Sequence, residues 1–268
     1  MTATFLEKID WSRPWLAHVR DLGRAIAQAP DWRAALDQHA AQAGLRNHRG
    51  MSMRFIPQAE LPAGVAYESH ISRTGCVPTR ENLHDFFNAL VWLTYPRIKA
   101  RLNALQAAEI DRNESSGGTS SRGRVRDAAT IFDENAVLLV TPDQALIDAL
   151  RAHRWTDAFL IHRDAFAGGG MVYLFGHALM EKLIAPYKAI TGHMWVLPAV
   201  PPAGVASFTE CQAWMDEEVA SRLSPELATK DFSPLPVLGV PGWWRGQDVA
   251  FYRDTAVFRP ARINRVSG

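Results

Sequence analysis

Residues 77–110 read VPTRENLHDFFNALVWLTYPRIKARLNALQAAEI, and the helical reading of this run sets the character of the whole chain. Asn82 is a good N-cap, because its short side-chain oxygen can accept from a backbone N–H one turn into a helix. Asp85 follows three residues later, where the helix dipole favours a carboxylate. Phe86, Leu90, Val91 and Leu93 then supply an apolar face. Pro96 has no amide donor and predicts a kink or a split. Ile98, Leu102 and Leu105 carry the pattern on to about Ile110. Before the helix, Val77-Pro78-Thr79-Arg80 reads as an extended lead-in, since the residue before a proline avoids the helical region.

Outward from this run, residues 12–44 also read as helical. Ser12 is a candidate cap with Pro14 in the first turn, and Trp15, Val19, Leu22 and Ile26 recur at helical spacing. Pro30-Asp31 breaks the pattern. Trp32, Leu36 and His39 share the face of a second helix, which Gly44 closes. Met53–Ile56 and Val65–Ile71 are short, partly alternating, and read as two strands. On the other side, residues 113–121 read NESSGGTSS and predict a flexible loop. Asp127–Asn135 reads as a short helix or turn, and Val137–Val140 as a buried strand. Residues 142–161 read as a helix begun by Pro142 and capped by Thr141. Gly168-Gly169-Gly170 precedes a helix expected from about Val172 to Ile184. A strand is expected over 191–200, ended by Pro198, and a helix over 208–222. The tail from Pro234 to Arg262 has little periodicity, and its Trp243, Trp244, Phe251, Tyr252 and Phe258 should pack across the body. The expected fold is α+β: a mainly helical single domain over residues 1–268, with a small sheet and a long loop-rich C-terminal segment.

Composition excludes several classes. The 268 residues are 47% hydrophobic and 21% charged, as in ordinary globular proteins. Lys and Arg number 29 against 28 Asp and Glu, a net charge of +1. That balance argues against a general nucleic-acid coat and a polybasic membrane binder. No run approaches the roughly 20 apolar residues of a membrane span. The start, MTATFLEKIDWSRPW, is broken by Lys8, Asp10 and Arg13 before an apolar signal segment can form. Cys76 and Cys211 fit no metal or redox spacing. The expected location is cytoplasmic. Oligomeric state is not legible.

The runs VPTRENLHDFFNALVWLTYPRIKARLN, RGRVRDAATIFDEN, FGHALMEKLIAPY and PLPVLGVPGWW…FYRDTAVFRPAR resemble the bacterial family catalogued as domain of unknown function 3025. The likeness extends from about Phe55 to Arg262. It implies a bacterial, single-domain protein and brings no activity or catalytic residue with it.

Chemistry must therefore come from the residues. His84 and Asn88 share one face of their helix and Asp85 points elsewhere; His84 is a candidate general base or metal ligand at a helix start. Arg122, Arg124 and Arg126 follow the expected loop, and with Arg80 they are the candidate anion-binding residues, since arginine grips phosphate and carboxylate with two bonds. Asp127 and Asp133 fall on different helix faces. Asp133, Glu134 and Asn135 would place hard oxygens at a strand edge, a set that suits Mg²⁺ or Mn²⁺ better than zinc. His84, Asp127, Asp133 and Glu134 are the catalytic candidates. His177 and Glu181 stand four apart on a helix and are the candidate metal ligands, or a histidine with a carboxylate that orients it, although the order is not that of the HExxH proteases. Gly176 suits close packing of that helix on a neighbour. The triple glycine lacks a Walker or dinucleotide pattern, and no GxSxG elbow is present.

Three readings stay open. One is a metal-assisted hydrolase of a small anionic, phosphorylated substrate, with a divalent metal as candidate cofactor. The second is a non-catalytic protein that binds an anion or a partner. In the third, the polar groups form a buried network that specifies the fold.

Overall fold

The computed structural model describes residues 4–115, 123–166, 172–205 and 207–261. It is an α+β fold whose helices outweigh two small sheets. The helices are α1 (Arg20–Ala27), α2 (Trp32–Gln42), α3 (Tyr67–Thr74), α4 (Leu83–Thr94), α5 (Pro96–Ser115), α6 (Arg124–Asn135), α7 (Gln144–Arg151), α8 (His177–Lys182), α9 (Phe208–Arg222) and α10 (Val249–Tyr252). The strands are β1 (Arg54–Pro57), β2 (Cys76–Thr79), β3 (Ala136–Val140), β4 (Val172–Leu174), β5 (Thr191–Leu197) and β6 (Ser233–Pro236). β1 and β2 pair in parallel. The larger sheet has the order β4-β3-β5-β6, with β3 and β5 parallel and the two outer pairings antiparallel.

β3 (AVLLV) is buried along its whole length. A continuous apolar run is what a strand covered on both faces requires. Each buried Val or Leu there contributes about 1.5–3 kcal/mol. α4 and α5 form the spine beside this sheet. Asn82 caps α4 by accepting from the Asp85 N–H at 2.8 Å. Pro96 splits the run, as expected, and opens α5. The freed N–H groups of Arg97 and Ile98 are met by Asp216 of α9 at 3.0 and 2.9 Å, a cap supplied across the fold.

Several expectations are corrected. Val65–Ile71 is not a strand: Tyr67–Thr74 is α3, closed by Gly75 in the left-handed conformation (φ 73°). Packing against α5 outweighs the β preference of Val, Tyr and Ile there. Residues 77–79 of the extended lead-in belong to β2 and pair with β1. Pro14–Leu16 makes only a 3₁₀ turn, and α1 starts at Arg20. The helix expected over 142–161 is capped by Asp143, runs only from Gln144 to Arg151, and is followed by a π-helical turn at Asp157–Ile161. The Asp143 carboxylate accepts from Leu146 N–H, a better cap than the Thr141 hydroxyl. Val172–Leu174 is strand β4, and α8 starts only at His177. Ser233–Pro236 of the tail joins the sheet as its edge strand, where prolines are tolerated. Residues 113–115 complete α5. The rest of the expected flexible loop, Arg122 and the triple glycine lie outside the described residues.

Phe159 stacks on Tyr252 and Trp155 meets Phe258 edge to face, so aromatic residues of the tail do pack on the body. Cys76 and Cys211 are both free. Among the described residues, no helix is long and apolar enough to cross a membrane.

Candidate metal centre

Three helix ends meet at one point. α4 brings His84 from its first turn, α6 brings Asp133 and Glu134 from its last, and α8 brings His177 and Glu181. The approach of α8 to α6 depends on Gly176. A Cβ there would lie 2.5 Å from the Asn135 backbone nitrogen and from the Glu134 carbonyl oxygen. Only glycine lets the backbone come this close, and that closeness sets His177 beside the two acids.

His84 Nε2 and His177 Nε2 are 3.1 Å apart. Glu134 Oε2 lies 3.9 Å from the first and 3.6 Å from the second. The point equidistant from these three atoms is about 2.1 Å from each, within the ~2.0–2.2 Å of zinc–nitrogen and zinc–oxygen bonds. Among the described residues, these side chains form the one cluster of three His, Cys, Asp or Glu with ligand atoms this close together.

The far nitrogens support the same reading. His84 Nδ1 is 3.0 Å from Glu181 Oε2, so the carboxylate can hold an N–H there, the tautomer that turns a lone pair on Nε2 to the other side. His177 is 3% exposed, and its Nδ1, buried without a full hydrogen bond, has Asp133 Oδ2 3.9 Å away. Burial holds the His177 imidazole far below its ordinary value, at about 3, against the opposing pull of Asp133. The ring is neutral at pH 7. The two Nε2 atoms are at hydrogen-bonding distance, 3.1 Å; when each ring carries its N–H on Nδ1, both Nε2 lone pairs are free for a cation between them. Metal-bound histidines commonly present their other nitrogen to a carboxylate or carbonyl in this way.

A buried polar relay stands behind the centre. Lys99 of α5, only 4% exposed, donates to Asp133 Oδ1 at 2.5 Å and to Asn88 Oδ1 at 2.8 Å. Its ammonium also lies over the Trp92 ring. Burial alone would raise the Asp133 carboxyl, but Lys99 and His177 outweigh it and hold it below its ordinary value. Glu134 is shifted the other way, first by burial and then by Asp133 beside it.

In front of the centre is a cleft of about 310 Å³ whose walls include Tyr67, Glu68, Arg80, Asn88, Glu134 and His177. Asp85 is not free to react: it accepts from the Arg80 backbone N–H at 2.7 Å and from its guanidinium at 3.0 and 2.9 Å. Arg80 is thereby fixed at the rim with its side chain 58% exposed. Arg124, Arg126 and Asp127 are not among the residues that line the cleft, although Arg126 is near enough to Glu68 to favour its charged form. A larger cleft of about 610 Å³ lies between Trp155, Pro234, Pro236, Val257 and Pro260. It is mainly apolar, and His153 is the one histidine or acid on its wall among the described residues, so its size does not make it the reactive site.

Tyr67, Glu68 and Lys99 did not stand out in the sequence. Tyr67 and Glu68 were hidden by the strand reading of their segment. Lys99 carried a signal: with Trp92, Tyr95 and Leu102 it shares the apolar stripe of the α4–α5 run, where a buried ammonium demands an acid.

Two imidazoles and one carboxylate, with room on the cleft side, suit zinc or iron(II) better than the Mg²⁺ or Mn²⁺ expected from the acidic run. No curated protein and no solved structure is significantly similar to the chain. The profile of the family described as protein of unknown function DUF3025 matches residues 53–262, more than half of the sequence, and the chain belongs to that family.

Proposed function

We propose that this protein is a zinc-dependent hydrolase of a small substrate bound in the 310 Å³ cleft. One observation carries the reading: the three ligand atoms of His84, Glu134 and His177 surround a point about 2.1 Å from each, at metal-bonding distance. A divalent ion held there supplies a water of lowered pKa and a Lewis acid for the substrate oxygen. Glu181 orients His84, Asp133 sets its negative charge 3.9 Å from the far nitrogen of His177, and Glu134 adds the negative charge that would hold the cation.

The substrate follows from the charges nearby. Of Arg80, Arg124 and Arg126, the described arginines expected to bind an anion, Arg80 is the one on the cleft wall, and Asp85 grips it. Lys99 is committed to Asp133. One rim arginine suits a substrate with a single anionic group better than a densely charged phosphate ester.

The test is metal content per chain in untagged protein prepared without chelator, followed by turnover of nitrophenyl esters, peptidyl nitroanilides and nitrophenyl phosphate. The expected result is near-stoichiometric zinc, lost in His177→Ala and Glu134→Ala with the fold intact, and hydrolysis that needs the metal. Stoichiometric iron would replace hydrolysis by oxygen chemistry. Metal without turnover would favour the non-catalytic binding alternative. Absence of metal, with no stabilisation on adding Zn²⁺, contradicts the reading.

A further inference from the structure

We infer that Tyr67 is a catalytic hydrogen-bond donor, its phenol proton aimed into the cleft to hold the substrate oxygen that becomes negative beside the metal. The inference rests on the metal-centre reading and adds a residue to it.

Lys99 has donors and no acceptor, so the Asn88 atom 2.8 Å from its Nζ must be the amide oxygen. The Asn88 amide nitrogen therefore faces the other way, and it donates to Tyr67 Oη at 3.0 Å. Asn88 is the one hydrogen-bond partner of that oxygen among the described residues. The phenol thus receives a hydrogen bond from behind and keeps its own proton for a group in front. In front lies the cleft, whose wall Tyr67 shares with His84, Glu134 and His177. The proton stays in place at neutral pH: burial, with Glu68, Asp85 and Asp133 adding to it, pushes the phenol well above its ordinary value.

The ammonium sets the polarity of the whole relay. Lys99 cannot accept, Asn88 cannot turn round without facing its NH₂ to the ammonium, and Tyr67 cannot donate to Asn88. Preorganised donors aimed at developing charge are a large part of catalysis in water-poor sites. Hydrolysis of an ester or amide gathers negative charge on the carbonyl oxygen as the water oxygen bonds to carbon. The charge passes back when the carbon–leaving-group bond breaks and the water's proton leaves with that group. Tyr67 would donate to that oxygen throughout and transfer no proton.

Acetohydroxamate, a small chelating oxyanion, is the probe. Its affinity is measured for zinc-loaded wild type, Tyr67→Phe and Asn88→Asp by calorimetry, with zinc content and circular dichroism determined for each. Loss of one hydrogen bond to a charged group should weaken Tyr67→Phe by roughly tenfold or more while zinc content is unchanged. Asn88→Asp keeps the phenol but offers it a carboxylate behind, so the proton turns away and affinity falls comparably. Equal affinity in wild type and Tyr67→Phe overturns the inference. So does failure of the zinc-loaded wild type to bind the probe, or wild-type affinity in Asn88→Asp. Failure of the wild type to hold zinc overturns the metal-centre reading instead.

Discussion

Replacing Lys99 by methionine isolates the charge balance behind the centre. The side chain is 4% exposed and that of its partner Asp133 is 11% exposed. Lys99→Met keeps most of the aliphatic stem and removes the ammonium that faces Asp133 Oδ1 and Asn88 Oδ1. An uncompensated buried charge costs about 3–5 kcal/mol. At roughly 2–4 °C per kcal/mol for a chain of this size, the melting temperature should fall by about 6–20 °C. The pH dependence is the sharper test. In the wild type Lys99 holds the folded Asp133 carboxyl below its unfolded value of 3.8. The pair therefore adds stability above that value and loses it as the pH falls through the lower folded one. In Lys99→Met the largest opposing charge is gone, and burial, opposed only by His177 and His84, raises the carboxyl. The variant's deficit should thus be full near pH 7 and shrink towards pH 4, where Asp133 takes up a proton. Urea unfolding of metal-free protein at several pH values reads both effects. Lys99→Met combined with Asp133→Leu should recover part of the loss, because apolar residues often replace a buried pair without cost. A deficit under about 1 kcal/mol at pH 7, or one independent of pH, would refute the reasoning.

Other outcomes follow from the same structure. His18 is buried, and burial lowers it from 6.5 to about 4; its contribution is fully present above pH 6.5 and falls by about 3 kcal/mol as the pH drops through 4. His18→Asn should flatten that slope in urea titrations at pH 7 and pH 5; an unchanged slope would contradict the assignment. Gly176→Ala forces a Cβ against the Asn135 and Glu134 backbone, so it should cost about 1–3 kcal/mol in urea unfolding and weaken zinc binding by moving His177; normal values of both would contradict the packing argument. Asp216→Ala removes the cap on Arg97 and Ile98 and should cost about 1–2 kcal/mol or more, read by thermal unfolding.

Local chemistry made part of this fold legible. Asn82, Pro96 and the apolar positions of α4 and α5 mark their own boundaries, and β3 is recognisable by its unbroken apolar run. The segment 65–71 was not legible, because the pairing of its face with α5 decides its helical state and no local spacing reports that contact. The site was legible residue by residue but not as an arrangement. His84, Asp133, Glu134, His177 and Glu181 all carry metal or acid–base chemistry in the sequence. The spacing of His177 and Glu181 suggests two ligands from one helix. The structure instead sets Glu181 on the far nitrogen of His84 and brings Glu134 to the near side. That exchange depends on the crossing of α4, α6 and α8, to which no motif within one helix is sensitive. The arginines after residue 121 illustrate the converse: a dense charge run with a loop before it, of which Arg124 and Arg126 stay off the cleft wall.

The central claim is that one metal ion sits among His84, His177 and Glu134. Crystals of zinc-loaded protein, measured on both sides of the zinc absorption edge, test it most directly. One strong anomalous peak is expected at about 2.1 Å from His84 Nε2, His177 Nε2 and a Glu134 carboxylate oxygen, with the cleft side open to solvent. Zinc elsewhere on the chain, or no peak with the two imidazoles still 3.1 Å apart, would contradict it.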